Sequence, residues 1–147
     1  MPAQLHNITD RFNGINCLEP IPPWRLVKLA MENGKLGFKL CGPTDVPCGI
    51  SGVRAGTVGA TNKPDDFTVY NLRACAEWKV EFATDADAFA PIYVGAEGMV
   101  TKTQVAGAMY LGRARKAMKG PRTENGQTVR DLGDILQDMG TGKIFAT

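Results

Sequence analysis

Residues 77–82 read Glu77-Trp78-Lys79-Val80-Glu81-Phe82. Large apolar and charged side chains alternate there with a period of two. A β-strand sends successive side chains to opposite faces, so this pattern predicts a strand with Trp78, Val80 and Phe82 inward and Glu77, Lys79 and Glu81 in solvent. Upstream, 67–75 reads as a second strand, with Phe67, Val69 and Cys75 on one face and Thr68, Tyr70 and Leu72 on the other. Further upstream, 24–31 and 36–41 flank Glu32-Asn33-Gly34-Lys35. Asn-Gly suits a type I′ turn, so these two segments predict a hairpin.

Downstream of Phe82 the grammar repeats. The segment 91–94 reads as a short strand, Gly95-Ala96-Glu97-Gly98 as a turn, and 99–103 as the return. Gly107 and Gly112 disfavour a helix, which makes 107–117 a strand, and 126–132 a last short one. Strand signals separated by turn residues every 8–12 positions predict an all-β fold, a single compact β-sandwich or barrel. The expected core includes Trp24, Leu26, Phe38, Val69, Trp78, Val80, Phe82 and Tyr93.

The two ends break this rhythm. Residues 1–23 carry Leu5, Ile8, Phe12, Ile15 and Leu18 among turn formers, then the extended run Leu18-Glu19-Pro20-Ile21-Pro22-Pro23. They predict an extended N-terminal arm. In 131–147, Asp131, Leu132, Ile135, Leu136 and Met139 fall at helical spacing, with Gly140 placed as a stop and Ile144-Phe145 beyond it. They predict a short C-terminal helix or arm. The expected organisation is therefore an arm at 1–23, a β body at 24–130 and a C-terminal arm at 131–147.

Composition bounds the chemistry. The chain has 147 residues, 44% of them hydrophobic and 22% charged, ordinary values for a globular domain. A chain of this length buries about two-thirds of its surface on folding, enough for a core without staples. Seventeen basic and 15 acidic residues give a net charge of +2, too balanced to point to nucleic acid. No run approaches the 18 apolar residues of a membrane span. The first residues lack a basic-then-apolar signal layout, so a cytoplasmic site of synthesis and assembly is expected.

Catalytic inventory is thin. His6 is the single histidine and Ser51 the single serine, and Ser51 sits in Gly49-Ile50-Ser51-Gly52, where it reads as a turn residue. Gly140-Thr141-Gly142-Lys143 fails as a phosphate loop, because Gln137 stands where the first glycine belongs and Ile144 replaces the hydroxyl. Cys17, Cys41, Cys48 and Cys75 form no C-x-x-C pair, so no metal is expected and the thiols should stay free. No cofactor is expected either. Carboxylates at Asp65, Asp66, Glu77 and Glu81 read as solvation rather than as acid–base pairs.

One charge feature stands out. Arg113, Arg115, Lys116, Lys119 and Arg122 lie within ten residues with no acid between 111 and 123. They read either as a basic edge for an acidic partner or as charges guarding a solvated edge strand. Together with Tyr110, Tyr70 and Trp78 they also open the alternative of a single-stranded nucleic-acid barrel of the OB type, although the interleaving of aromatics is sparse.

The segment Pro91-Ile92-Tyr93-Val94-Gly95-Ala96-Glu97-Gly98-Met99-Val100-Thr101 resembles a signature of tailed-phage capsid decoration, or cement, proteins. Ala108-Met109-Tyr110-Leu111-Gly112-Arg113-Ala114, Gly126-Gln127-Thr128-Val129 and Val46-Pro47-Cys48-Gly49-Ile50-Ser51-Gly52-Val53 resemble strands of the same group. The resemblance implies a jelly-roll-like or β-tulip-like body and a non-enzymatic role. Such a protein binds the exterior of the capsid across joints between major capsid subunits, self-associates as a dimer or trimer at local symmetry axes, and stabilises the head. A neck or tail component of the same virion is a further alternative. The contacts to the shell are expected from Leu5, Ile8 and Phe12, from Arg113, Arg115, Lys116, Lys119 and Arg122, and from Ile144 and Phe145. Apolar side chains contribute about 1.5–3 kcal/mol each when buried, so a few of them can offset the ordering of an arm.

Overall fold

A computed structural model describes residues 11–63, 65–74 and 76–137. The fold is all-β, as the alternation predicts. Among the described residues twelve strands run in order: β1 (Asn16–Cys17), β2 (Leu26–Glu32), β3 (Lys35–Leu40), β4 (Gly49–Ser51), β5 (Val69–Asn71), β6 (Glu77–Glu81), β7 (Pro91–Val94), β8 (Val100–Thr101), β9 (Tyr110–Ala114), β10 (Arg122–Glu124), β11 (Gln127–Val129) and β12 (Leu132–Gln137). The first sheet has the order β1-β3-β2-β4-β5 and the second β6-β12-β9-β7-β8, while β10 and β11 form a separate two-stranded ribbon. Among the described strands, every ladder is antiparallel except β1 with β3. The second sheet curls back on itself, since Phe82 bridges Val100 and the Ala83 N–H donates to the Val100 carbonyl at 2.8 Å.

The hairpin signal at Asn33-Gly34 holds. Both residues are left-handed, at φ 51° and 77°, as a type I′ turn requires, and β2 pairs β3 from Val27↔Leu40 to Glu32↔Lys35. The same dipeptide recurs at Asn125-Gly126, φ 52° and 78°, between β10 and β11. Tertiary packing shortens other segments. The expected strand 67–75 forms a ladder at Val69–Asn71, with isolated bridges at Phe67, before a 3-10 turn at Leu72–Ala74, which buries Leu72; Cys75 lies outside the described residues.

Two hydrophobic cores result. The larger joins both sheets: Leu26, Cys41, Ile50 and Leu72 from the first meet Trp78, Val80, Phe82, Ile92, Val94, Val100, Leu111 and Ile135 from the second. The smaller lies within the first sheet and contains Cys17, Ile21, Val27, Phe38, Phe67 and Val69. Of the expected core, Trp24 and Tyr93 are only half-buried and the other six are buried. Ser51 is a further correction. It is a fully buried strand residue rather than a turn residue, with its hydroxyl donating to the Pro22 carbonyl at 2.7 Å and accepting the Arg25 N–H at 2.9 Å.

Both ends depart from the expected arms. Residues 11–23 belong to the first sheet and its core. Phe12 sits edge-on to Phe38 at 5.5 Å, its N–H donates to the Val69 carbonyl at 3.0 Å, and Cys17 and Ile21 are buried. A sparse apolar pattern with short extended pieces can still fill a core when each piece adds one bridge, and Asn16↔Thr61 and Ile21↔Gly56 are such bridges. At the other end, 132–137 is an interior strand and not a helix. It pairs β6 on one side and β9 on the other. The helical spacing extends over too few residues to separate the two periods. Gly133 and Ile135 face inward, and a Cβ on Gly133 would lie 2.7 Å from the Met118 side chain and 2.9 Å from Phe82. Residues 1–10 and 138–147, which carry Leu5, Ile8, Ile144 and Phe145, lie outside the described residues.

Candidate interaction surface

Pro22 and Pro23 deliver an extended chain into Trp24, which sits at φ 59°. Its N–H donates to the Ser51 carbonyl at 3.1 Å, and its carbonyl accepts the Glu81 N–H at 3.0 Å. One residue thus ties β4 to β6 across the two sheets. Arg25 continues the seam. Its Nη2 meets the Glu81 Oε2 at 3.0 Å and its Nη1 donates to the Glu97 carbonyl at 2.9 Å. Arg130 Nε also approaches the Glu81 Oε2, at 3.4 Å. The Arg25 and Glu81 side chains are only 7% and 14% exposed, so this pair lies largely out of water, while Arg130, 39% exposed, reaches the same carboxylate from the solvent side.

On the outer side of this seam lies a groove of about 380 Å³ lined by Pro23, Trp24, Val53, Thr128, Arg130 and Leu132, with Glu81 below. Lys79 Nζ stands 5.9 Å from the Trp24 ring centroid, a cation–π distance. A second, more apolar groove of about 550 Å³ runs along Pro20, Ile21, Pro22, Leu40, Ala55 and Thr57. Apolar residues are also exposed at the end of the first hairpin, where Met31 faces Leu36 across the strands and Leu29 follows on the same face. Phe89 is exposed in the turn before β7.

The basic cluster does not form one edge. β9, which carries Arg113, is interior to its sheet, between β12 and β7, so Arg113 does not guard an open edge. Arg113 turns onto the Phe89 carbonyl at 3.0 Å, Arg115 pairs with Glu77 at 2.7 Å, and Arg122 pairs with Glu124 at 3.2 Å and Asp131 at 3.0 Å. Lys116 and Lys119 are exposed. Burial opposes the Asp131 charge, but the Lys119 N–H and the Arg122 guanidinium outweigh it and hold the carboxyl below its usual range. The aromatics of the nucleic-acid alternative are not arrayed for stacking. Trp78 is buried, Tyr70 packs against the larger core, and Tyr110 sits edge-on to Tyr93 at 5.9 Å.

Carboxylates are dispersed in the same way: Glu81 at the seam, Glu77 on Arg115, and Asp66 by Lys63 at 3.9 Å. Among the described residues no group of three or more His, Cys, Asp or Glu side chains could hold a metal ion. Cys17, Cys41 and Cys48 are unbridged. Burial pushes the Cys41 thiol up to about 12, with Asp45 adding to the shift, and the Cys48 thiol up to about 11, so both are protonated at neutral pH.

The Trp24 groove, the exposed Phe89 and the apolar hairpin end were not singled out by sequence reading. Asp85-Ala86-Asp87-Ala88-Phe89-Ala90 carried a usable signal, since a lone large aromatic in a polar turn has no core to enter. The Trp24 groove carried none, because it joins residues distant in sequence.

No family model matches the chain, and no curated protein matches it. Among solved structures, the fold is similar to the N base of the head fibre protein gp8.5 of bacteriophage phi29, with a TM-score of 0.65 over 87% of this chain and 92% of that one. The two sequences are 13% identical, so what the pair shares is the fold.

Proposed function

We propose that this chain is a non-enzymatic structural protein of a tailed-phage virion, seated on the exterior of the head. The observation that carries this reading is the fold likeness to a head fibre base, which takes in nearly all of both chains. The resemblance of 91–130 to cement proteins rests on sequence motifs alone and points to the same compartment. In its finer form the reading has the chain bind the major capsid protein across joints between subunits and stabilise the head. Weak sites become strong when one molecule links several lattice positions. Leu5, Ile8, Ile144 and Phe145, with the exposed Lys116 and Lys119, are the contacts proposed for the shell.

A second reading follows from the neighbour's description as a base: the chain seats a longer appendage on the head rather than cementing the shell. Cross-linking mass spectrometry on gradient-purified virions of the encoding phage separates the two. Cross-links from this chain to two adjacent copies of the major capsid protein support cement. Cross-links to one capsid copy and to a fibre support a base. Recovery with tails, or absence from the particle, overturns both.

A further inference from the structure

Among the described residues two aromatics occupy left-handed backbone, Trp24 at φ 59° and Phe89 at φ 64°. Bulky residues seldom do so unless their surroundings impose it. Phe89 is held on both sides: its N–H donates to the Ala114 carbonyl at 2.8 Å, and its carbonyl accepts Arg113 Nη1 at 3.0 Å. Yet 60% of the residue is exposed. Asp85, Asp87 and Ala88 are exposed beside it. The turn is therefore a fixed apolar knob flanked by two carboxylates.

The groove over the seam has the opposite character. Val53 is 72% exposed and Leu132 39%, and with Pro23 and Trp24 they make an apolar floor. Its rim is cationic, through Lys79 and Arg130. The charge of Glu81 is already answered by Arg25 and Arg130. Knob and groove have no residue in common.

We propose that Phe89 of one copy inserts into the Trp24–Val53–Leu132 groove of a second copy, with Asp85 and Asp87 meeting Lys79 and Arg130. An aromatic anchor in a pocket that includes Trp and Arg, with paired charges at the rim, is the anatomy of a binding hot spot. Contact between two different patches is heterologous and builds a ring or a chain of copies. The association needs no head, so it stands or falls apart from the virion reading.

Sedimentation velocity of the purified full chain, over a concentration and salt series, tests it. Asn tolerates left-handed backbone, so Phe89→Asn keeps the turn. Val53→Asp changes an exposed side chain, and neither substitution should move the melting temperature. The wild type should self-associate, less so at high salt, and each variant should associate at least about tenfold more weakly. An equimolar mixture of the two variants should form a two-chain species, because one retains the knob and the other the groove. A wild type that stays monomeric, variants that associate like it, or a mixture that stays monomeric overturns the proposal. A monomeric wild type whose Phe89→Asn variant loses head binding would assign the knob to the shell instead.

Discussion

Arg25 is a cation held almost out of water by one carboxylate and one carbonyl, and it joins the two sheets. Replacing it with Met leaves Glu81 with Arg130 alone at 3.4 Å. A buried charge left with no partner costs about 3–5 kcal/mol, and because Glu81 keeps Arg130, Arg25→Met should lower stability by less than that, on the order of 2 kcal/mol in denaturant titration. Arg25→Met with Glu81→Leu should recover much of the loss, since an apolar pair of similar volume leaves no orphan charge. At Asp45, the hydrogen bond from Lys28 and the Gly42 N–H hold the carboxyl below its usual range. The depressed value means Asp45 contributes stability above its unfolded pKa, near about 4. That contribution is lost as pH falls through the lower folded value. Asp45→Asn should therefore flatten the acid limb of a pH–melting profile and leave the alkaline limb unchanged. Neither partnership was legible in the sequence: Arg25 and Glu81 are 56 residues apart, and nothing local marks them as a pair.

Strands and turns were more legible than their partners. Trp78-Lys79-Val80-Glu81-Phe82 announces a strand through strict alternation, and Asn33-Gly34 announces its turn through residues that accept positive φ. The alternation fails at 132–137, where a strand between two neighbours is apolar on one face and mixed on the other, and mimics a helix over a few residues. It fails again at 67–75, where Leu72 turns into the core and ends the strand. Gly95-Ala96-Glu97-Gly98 announces its turn through its glycines, but nothing local marks its second role. Its Gly98 N–H donates to the Cys41 carbonyl at 2.7 Å, docking the second sheet on the first. Gly98 lies at φ 75°, and a Cβ there would meet the Leu26 carbonyl at 2.6 Å. Strained backbone at about 1–2 kcal/mol and a clash of similar size predict that Gly98→Ala destabilises by about 2–4 kcal/mol. Gly34→Ala, also left-handed but in open space, should cost only the backbone share. Equal losses for the two variants would contradict the docking role.

The whole molecule is one unit whose sheets share a core, and its described N-terminal residues belong to that unit. Deleting residues 1–16 would remove Phe12 and Ile15 from the smaller core and the Phe12–Val69 hydrogen bond. The truncated chain should melt well below the full one, whereas an arm independent of the body would leave melting unchanged. The exposed surface is the part of the account furthest from the sequence, because Trp24, Val53 and Leu132 meet only after both sheets have formed. The central proposal is that the chain, through its ends with Lys116 and Lys119, attaches to a phage head. Its most direct test is quantitative co-sedimentation of the purified chain with heads that lack it. The account predicts saturable binding at a fixed number of copies per major capsid subunit and heads that withstand more heat or osmotic shock once loaded. Absence of the chain from the head pellet at every concentration, alongside binding to isolated tails or to single-stranded DNA, would contradict it.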